Sequence, residues 1–257
     1  MEAYTGFAGV YDLLMDETPY GQWCENVVHE LQKYGICDGL LLELGCGTGT
    51  LTELLAQKGY DMIGVDCSEE MLNIACDKRA QSGQDILYLR QDMRSFELYG
   101  TVRAVVSVCD SLNYLLEEEE LAACFRLVSN YLDPKGIFFF DFNTRYKYET
   151  VIGDSVIAEN REDCSFIWEN YFDPEGGINE YDLTVFVKKR EESARGQELF
   201  SRFQEVHFQR GYTLEEIKSL LGRAGLSFVR AYDADTLGEV TAQSERIYCV
   251  AQEKMKE

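Results

Sequence analysis

The sequence predicts an α/β protein: a doubly wound, mostly parallel sheet of seven strands, with a small antiparallel β domain inserted late in the chain. Two observations carry this. Up to residue 144, short apolar runs of strand length alternate with segments of helical periodicity, as in strand–helix–strand units whose strands are buried on both faces. From Val156 to Gln209 the period changes to two, with Trp168, Tyr171, Tyr181, Phe186 and Phe203 along it. A Gly176-Gly177 pair interrupts that stretch, so it reads as a hairpin sheet.

Taken in order, residues 1–19 mix aromatics and acids. They form either an arm packed by its own rings or a lid over a ligand cleft that supplies Tyr4 and Tyr11. Residues 20–34 fit a helix with Trp23, Val27, Val28 and Leu31 on one face. Leu40–Leu44 is the first strand, with Glu43 its only charge, a carboxylate that would not be buried without a partner. Gly45, Cys46, Gly47, Thr48 and Gly49 follow, and Leu51, Leu54 and Leu55 recur at helical spacing, which makes a strand, glycine turn and helix. Asp61–Val65 is the second strand, ending at Asp66. That acid stands where a nucleotide-binding sheet accepts hydrogen bonds from ribose hydroxyls, because Ser68 already serves as the N-cap of the next helix. Met71 and Leu72 open that helix, which ends near Gly83, and Met71 is placed to touch an adenosine.

Ile86–Leu89 is the third strand, followed by Gln91-Asp92-Met93. Asp92 stands where a carboxylate can accept from an adenine amino group, and Met93 offers a backbone N–H and a soft apolar surface. Ala104–Val108 is the fourth strand, and the polar cluster Cys109–Tyr114 at its end fits a ligand crevice at a strand's carboxyl end. Glu117–Glu120 opens an amphipathic helix as a solvated acidic first turn. Pro134 and Gly136 end it before a fifth strand, Ile137–Phe142. After the period-two stretch, a capping box at Thr213–Glu216 restarts helical periodicity, which stops at Gly225. Phe228–Tyr232 and Arg246–Ala251 complete the main sheet. Residues 1–144 and 211–257 then form the ligand-binding core, and 145–210 an insertion that roofs the cleft. The plainer alternative is a flap that covers an apolar face or pairs two subunits.

Composition narrows the function classes. Lys+Arg 24 against Asp+Glu 46 leaves a formal net charge of -22, which repels phosphate backbones and anionic lipid, so nucleic acid and membranes are disfavoured partners. The longest basic run is Lys188–Arg190. Nine cysteines are dispersed with no C-x-x-C pair, so neither a metal site nor a disulfide framework is expected. They point to a reducing cytoplasm. The first residues carry Asp12, Asp16 and Glu17 and no basic region, unlike a signal peptide, and no apolar run reaches membrane-spanning length.

The glycine turn reads G-x-G-x-G with an acid two residues before it, instead of the dinucleotide fingerprint G-x-G-x-x-G. With Asp66, the Gln91-Asp92-Met93 triplet and the Cys109–Leu115 segment in order, about 140 residues resemble the class I S-adenosylmethionine-dependent methyltransferases. The segments FAGVYDLLM, WENYFD and RFQEVHFQRGYT extend the resemblance toward a bacterial subgroup with an inserted antiparallel sheet. That subgroup is similar to sugar-amine N,N-dimethyltransferases and glycine N-methyltransferase-like proteins. The physical reading agrees, since the ligand carries an ammonium and a sulfonium but no phosphate, and an acid beside the turn suits cations.

The resemblance implies a Rossmann-like methyltransferase fold and S-adenosyl-L-methionine as cofactor. It implies that Gly45, Gly47 and Gly49 wrap the methionine part, Asp66 takes the ribose, Asp92 and Met93 the adenine, and Asp110 or its backbone the ammonium. Glu43, Cys46, Cys67, Met71 and Tyr4 complete the expected cofactor set. No D/N-P-P-Y/F follows the fourth strand and no cysteine sits in a catalytic motif, so the base-amine and C5-pyrimidine branches are not matched.

Methyl transfer from a sulfonium is an in-line displacement whose leaving group needs no acid. Positioning can supply roughly 7–11 kcal/mol, against about 3–5 kcal/mol from a general base, so a dedicated base is not required. Tyr11, Asn113, Tyr114 and His207 are the candidate catalytic side chains, with His207 either a base or an ordinary cross-strand surface residue. Tyr11, Trp168 and His207 are expected to line the acceptor pocket, with Arg210 as an anion clamp and no metal. The expected reaction is methylation of nitrogen or oxygen of a small-molecule acceptor by a monomer or homodimer. The alternatives are a transfer- or ribosomal-RNA methyltransferase, a cofactor-binding module without turnover, and an NAD-dependent oxidoreductase, which the glycine spacing disfavours.

Overall fold

In the computed structural model, residues 8–189, 198–254 and 256 are described, so Tyr4 lies outside the described residues. Five parallel strands build the centre: β1 (Gly39–Leu44), β2 (Tyr60–Asp66), β3 (Ile86–Arg90), β4 (Val102–Ser107) and β5 (Leu132–Asn143). Strands β6 (Val156–Asn160), β7 (Cys164–Asp173), β8 (Ile178–Lys188) and β9 (Phe200–Arg210) form a separate four-stranded antiparallel sheet. Strands β10 (Leu226–Asp233) and β11 (Arg246–Glu253) return to the main sheet, whose order is β10-β11-β5-β4-β1-β2-β3, with β11 antiparallel to β5. The chain therefore winds outward in both directions from the junction of β1 and β4. That junction is the switch point where connections diverge and leave a crevice at the strands' carboxyl ends.

Helices α1 (Ala8–Leu14), α2 (Tyr20–Gln32), α3 (Thr50–Gln57), α4 (Glu69–Ser82), α5 (Glu118–Tyr131) and α6 (Leu214–Arg223) complete the chain. Two apolar cores lie on opposite faces of the sheet. On one, Phe125 of α5 packs on Phe138 and Phe140 of β5, with Ile217 and Leu221 of α6 beside them. On the other, Val27 and Leu31 of α2 and Leu51 and Leu55 of α3 cover Leu41, Met62 and Phe139. Side chains on both faces of the central strands are thus buried, which is why those strands read as continuous apolar runs.

The N-caps follow the sequence. Ser68 accepts from the Met71 N–H, and Thr213 with Glu216 closes a full capping box. Helix α6 ends one residue before Ala224, with Gly225 at a φ of 83° beyond it. One boundary differs from expectation. Helix α5 stops at Tyr131, and β5 is already extended from Leu132 through Pro134, five residues earlier than the apolar run suggests. The reason is an irregularity in which Val102 pairs with Leu132 but Ala104 with Ile137. The extra residues fold outward where Gly136 packs against the Asp133 and Arg103 carbonyls.

A one-residue bridge pairs Thr144 with Tyr212, so the segment carrying β6–β9 leaves and rejoins the main sheet at adjacent points. It begins with a π-turn, Lys147–Ile152, and its sheet turns Tyr181, Leu183 and Val185 inward, where Val10 of α1 packs on them.

Candidate active site

Two turns meet at the switch point. After β1, the Gly45 and Cys46 N–H groups bond the Val65 carbonyl. The Gly47 N–H donates to Asp66 Oδ2 at 2.8 Å, while Asp66 Oδ1 accepts from Ser68 N at 2.9 Å. Asp66 therefore braces the glycine turn as well as facing the crevice. Gly45, at a φ of 70°, lies so close to the second turn that a Cβ there would sit 2.5 Å from Ser111 Cβ. Gly47, at a φ of 52°, has no neighbour within 4 Å of its Cβ position: its bareness leaves open space on the cavity side.

The second turn, after β4, is held in a costly conformation. Cys109 and Asp110 are consecutive non-glycine residues at φ of 63° and 51°. Both N–H groups donate to the fully buried Asp141 at the end of β5, at 3.1 and 2.8 Å. Arg246, opening β11, reaches Asp110 Oδ1 at 2.7 Å and lies 3.6 Å from Asp141 Oδ2. Asp141 and Arg246 were not singled out in the sequence, because each reads there as an ordinary strand residue.

A cavity opens between these turns. From the first turn and its flanks it is lined by Glu43, Gly45, Cys46, Gly47, Thr48 and Leu51, and from β2 and α4 by Asp66, Cys67 and Met71. Met93, Cys109, Ser111 and Tyr114 close it from the other strand ends, with Tyr11 and Tyr20 over the top. The lining holds two carboxylates and no lysine or arginine. A pyrophosphate would find no cation there, whereas an ammonium and a sulfonium find acids, so the residues fit S-adenosylmethionine. Burial pushes the Glu43 carboxyl up to about 8, against a hydrogen bond from Thr52 Oγ1 that lowers it. Burial also raises Asp66, partly offset by the Ser68 and Gly47 N–H groups.

A second, larger chamber of about 510 Å³ lies between the strand ends and the inner face of the β6–β9 sheet. Tyr11, Cys109 and Tyr114 line both spaces and form the neck between them. Trp168, Tyr181 and His207 make one wall: the Tyr181 and His207 rings stack at 4.8 Å, and Trp168 lies 4.9 Å from Tyr181. The Tyr114 hydroxyl is 2.8 Å from that of Tyr181 and 3.2 Å from His207 Nδ1. Glu205 Oε2 lies 3.3 Å from His207 Nε2. Asp110, Lys147, Gln209 and Arg246 form the polar floor.

Helix α1 borders both spaces through Tyr11. Asp12 accepts from Thr48 Oγ1 and pairs with Lys78 of α4, each at 2.6 Å. Arg161, at the β6–β7 turn, donates to the Leu13 carbonyl and pairs with Asp16.

The structure thus brings Tyr11, Glu43, Gly45, Cys46, Gly47, Asp66, Cys67, Met71, Met93 and Tyr114 to the first cavity, and Tyr11, Tyr114, Trp168 and His207 to the chamber. His207 is 2% exposed, so it is not a surface cross-strand residue. Four expected positions differ, and a fifth, Asp92, lies beside the first cavity. Gly49 is the N-cap of α3, its Cβ position filled by Tyr88 and Ala75, and it lines neither space. Asp92 lines an adjoining groove that shares Gly45, Asp66, Cys67, Met93 and Tyr114 with the first cavity, and the Arg94 guanidinium holds its carboxylate below the usual range. Asp110 faces the chamber instead of the first cavity, its oxygens taken by Arg246 and Gln209. Asn113 is fully buried and clamps backbone: its amide donates to the Asn143 and Arg210 carbonyls and accepts from Asn143 N. Arg210 is spent on Glu216, Glu118 and the Leu116 carbonyl, away from the chamber.

Residues 41–136 match the methyltransferase domain family. The Bacillus subtilis protein YqeM, classed as a methyltransferase, is 38% identical over 250 residues, covering 97% of this chain and 96% of that protein. This chain belongs to the class I S-adenosylmethionine-dependent methyltransferase family. A crystal structure of an S-adenosylmethionine-dependent methyltransferase from Clostridium acetobutylicum superposes on this methyltransferase with a TM-score of 0.86 at 28% identity, covering 98% of this chain and 99% of that one. A dTDP-3-amino-3,4,6-trideoxy-alpha-D-glucopyranose N,N-dimethyltransferase from Streptomyces venezuelae is 38% identical over 97 residues, 38% of this chain and 39% of that protein. The enzyme's cofactor is S-adenosylmethionine. No helix among the described residues is long and apolar enough to cross a membrane.

Proposed function

We propose that this methyltransferase transfers a methyl group to nitrogen or oxygen of a small-molecule acceptor held in the chamber between the main sheet and the β6–β9 sheet. The observation that carries the reading is the neck. A cation-friendly cavity and an aromatic-walled chamber meet at Tyr11, Cys109 and Tyr114, and α1 borders the chamber through Tyr11 and Leu14. A chamber of about 510 Å³ beside the cofactor cavity suits a compact acceptor, and the net charge of -22 disfavours a polynucleotide. The S. venezuelae relative, whose name gives an amino sugar as its acceptor, is an instance of that class.

Bound S-adenosylmethionine supplies an electrophilic methyl carbon on a sulfonium. Of the residues lining the first cavity, Glu43 and the bare Gly47 backbone would hold the methionine half, and Asp66, Cys67 and Met71 the nucleoside half. Tyr11 and Tyr114 at the neck hold the acceptor atom in line, the arrangement through which positioning contributes most of the rate. His207 Nδ1, within hydrogen-bond distance of the Tyr114 hydroxyl, is the group that receives the acceptor's proton by way of that hydroxyl. The Cys109 thiol, pushed up to about 12 by burial, is no nucleophile. The dispersed free thiols support a cytoplasmic setting.

The test is a screen of small amines, hydroxy acids and sugars that monitors S-adenosylhomocysteine release. Turnover on a small acceptor, reduced about 10²-fold or more in Tyr114→Phe, is the expected result. Turnover confined to transfer or ribosomal RNA would overturn the proposal.

A further inference from the structure

The floor of the chamber holds a cation with no carboxylate of the described residues bonded to it. Lys147, in the π-turn after β5, lines the chamber, and its ammonium donates to one neutral acceptor, Asn143 Oδ1, at 3.1 Å. The charged groups around it are Arg246, Asp110, Asp141 and Glu245. Arg246 takes the first two acids, at 2.7 and 3.6 Å. Asp141 also accepts the Cys109 and Asp110 N–H groups, and Asp110 also accepts from Gln209. No carboxylate of the described residues lies within ion-pair distance of Lys147. The other chamber arginine, Arg161, is paired with Asp16 and Glu159. Burial and the Arg246 charge together lower the Lys147 ammonium from its ordinary value, against the pull of Asp110, Glu245 and Asp141. Lys147 is thus a half-buried cation that bonds no carboxylate directly, although acids lie in its surroundings.

A second donor in the same chamber lacks a partner. Trp168 Nε1 is buried and has no hydrogen-bond partner among the described residues. Buried donors in folded proteins are nearly always paired, so an unpartnered indole N–H, in the same chamber as an ammonium with one neutral acceptor, is explained by a ligand that brings acceptors.

We propose that Lys147 is the subsite for an anionic group on the methyl acceptor, and that this group is a monoanion, a carboxylate. One ammonium without a directly bonded counter-ion matches one negative charge. The carboxylates of Asp110 and Asp141 close by disfavour a dianionic phosphate. The aromatic wall of Trp168 and Tyr181 receives the acceptor's ring or carbon frame, with Trp168 Nε1 donating to a second oxygen. This replaces Arg210, whose charge is consumed outside the chamber, as the residue that reads acceptor charge. The assignment rests on the chamber being the acceptor site, as proposed above.

Paired probes test it. Benzoate, benzamide and phenyl phosphate are titrated by calorimetry into the full chain saturated with S-adenosylhomocysteine. In the native protein benzoate binds at least about tenfold tighter than benzamide, and tighter than phenyl phosphate. In Lys147→Met that preference disappears, and in Lys147→Arg it is retained, while S-adenosylhomocysteine affinity, which also reports folding, stays the same in all three proteins. Equal binding of benzoate and benzamide to the native protein, binding of neither, or a preference that survives in Lys147→Met overturns the proposal. Tighter binding of phenyl phosphate assigns the subsite to phosphate and overturns the carboxylate. Failure of S-adenosylhomocysteine itself to bind would instead strike the methyltransferase reading, so the two failures are told apart.

Discussion

At the scale of single residues, Glu43 makes the cofactor site pH-dependent. Its carboxyl titrates at about 8 in the ligand-free protein, so it is protonated below that pH, and a cationic ligand beside it favours the ionised form. Binding therefore releases a proton below pH 8. Cofactor affinity should rise with pH, by up to about tenfold per unit, and level off above pH 8 as far as this group is concerned. Calorimetry in buffers of different ionisation enthalpy measures the released proton, and Glu43→Gln should abolish both the release and the slope. The same raised value has a stability consequence of opposite sense. The folded protein binds this proton more tightly than the unfolded chain, so Glu43's contribution to stability is full below about pH 4.5 and is lost as pH rises toward 8. Gly47 gives a second prediction. A Cβ there meets no protein atom within 4 Å, so Gly47→Ala should cost only about 1–2 kcal/mol for the left-handed backbone. Cofactor binding should nevertheless fall more than about tenfold, because the methyl group enters the cavity; melting curves with and without S-adenosylhomocysteine separate the two effects.

At the scale of elements, α1 joins the two halves of the site. Asp12 ties it to the glycine turn through Thr48 and to α4 through Lys78, while Arg161 ties its end to the β6–β7 turn. These are partly exposed bonds, worth little to global stability. Asp12→Ala should leave the melting temperature within about 2 °C, weaken cofactor binding by about tenfold, and speed amide exchange across residues 8–14. Unchanged exchange there would mean that α1 is held by its apolar contacts alone. The central strands and the caps at Ser68 and Thr213 were legible in the sequence, because period and capping chemistry are local. The start of β5 was not, since the extension from Leu132 to Gly136 depends on pairing with Val102 in a distant strand.

At the scale of the whole molecule, net charge opposes the local site. A chain carrying -22 repels an anionic acceptor at a distance while Lys147 attracts it at contact. For a carboxylate acceptor, kcat/KM should therefore rise as salt is raised from about 20 mM to about 300 mM. For a neutral analogue it should stay flat, because screening acts on the long-range repulsion more than on the enclosed contact. A falling rate with salt would point to an attractive patch around the chamber mouth.

The sequence by itself determined the layered sheet, the glycine turn and the acids at the ends of β1 and β2. Each of these is written in residues close together in the chain, where spacing dictates geometry. Only the tertiary structure decided which polar residues face ligand. Asn113, Asp110 and Arg210 read in the sequence as polar groups as ready for a ligand as Lys147, yet their partners at Asn143, Arg246 and Glu216 engage them. A side chain's hydrogen-bonding capacity is finite, and the groups that consume it come from strands and helices far apart in the chain, so what is left over for a substrate appears only once they have met.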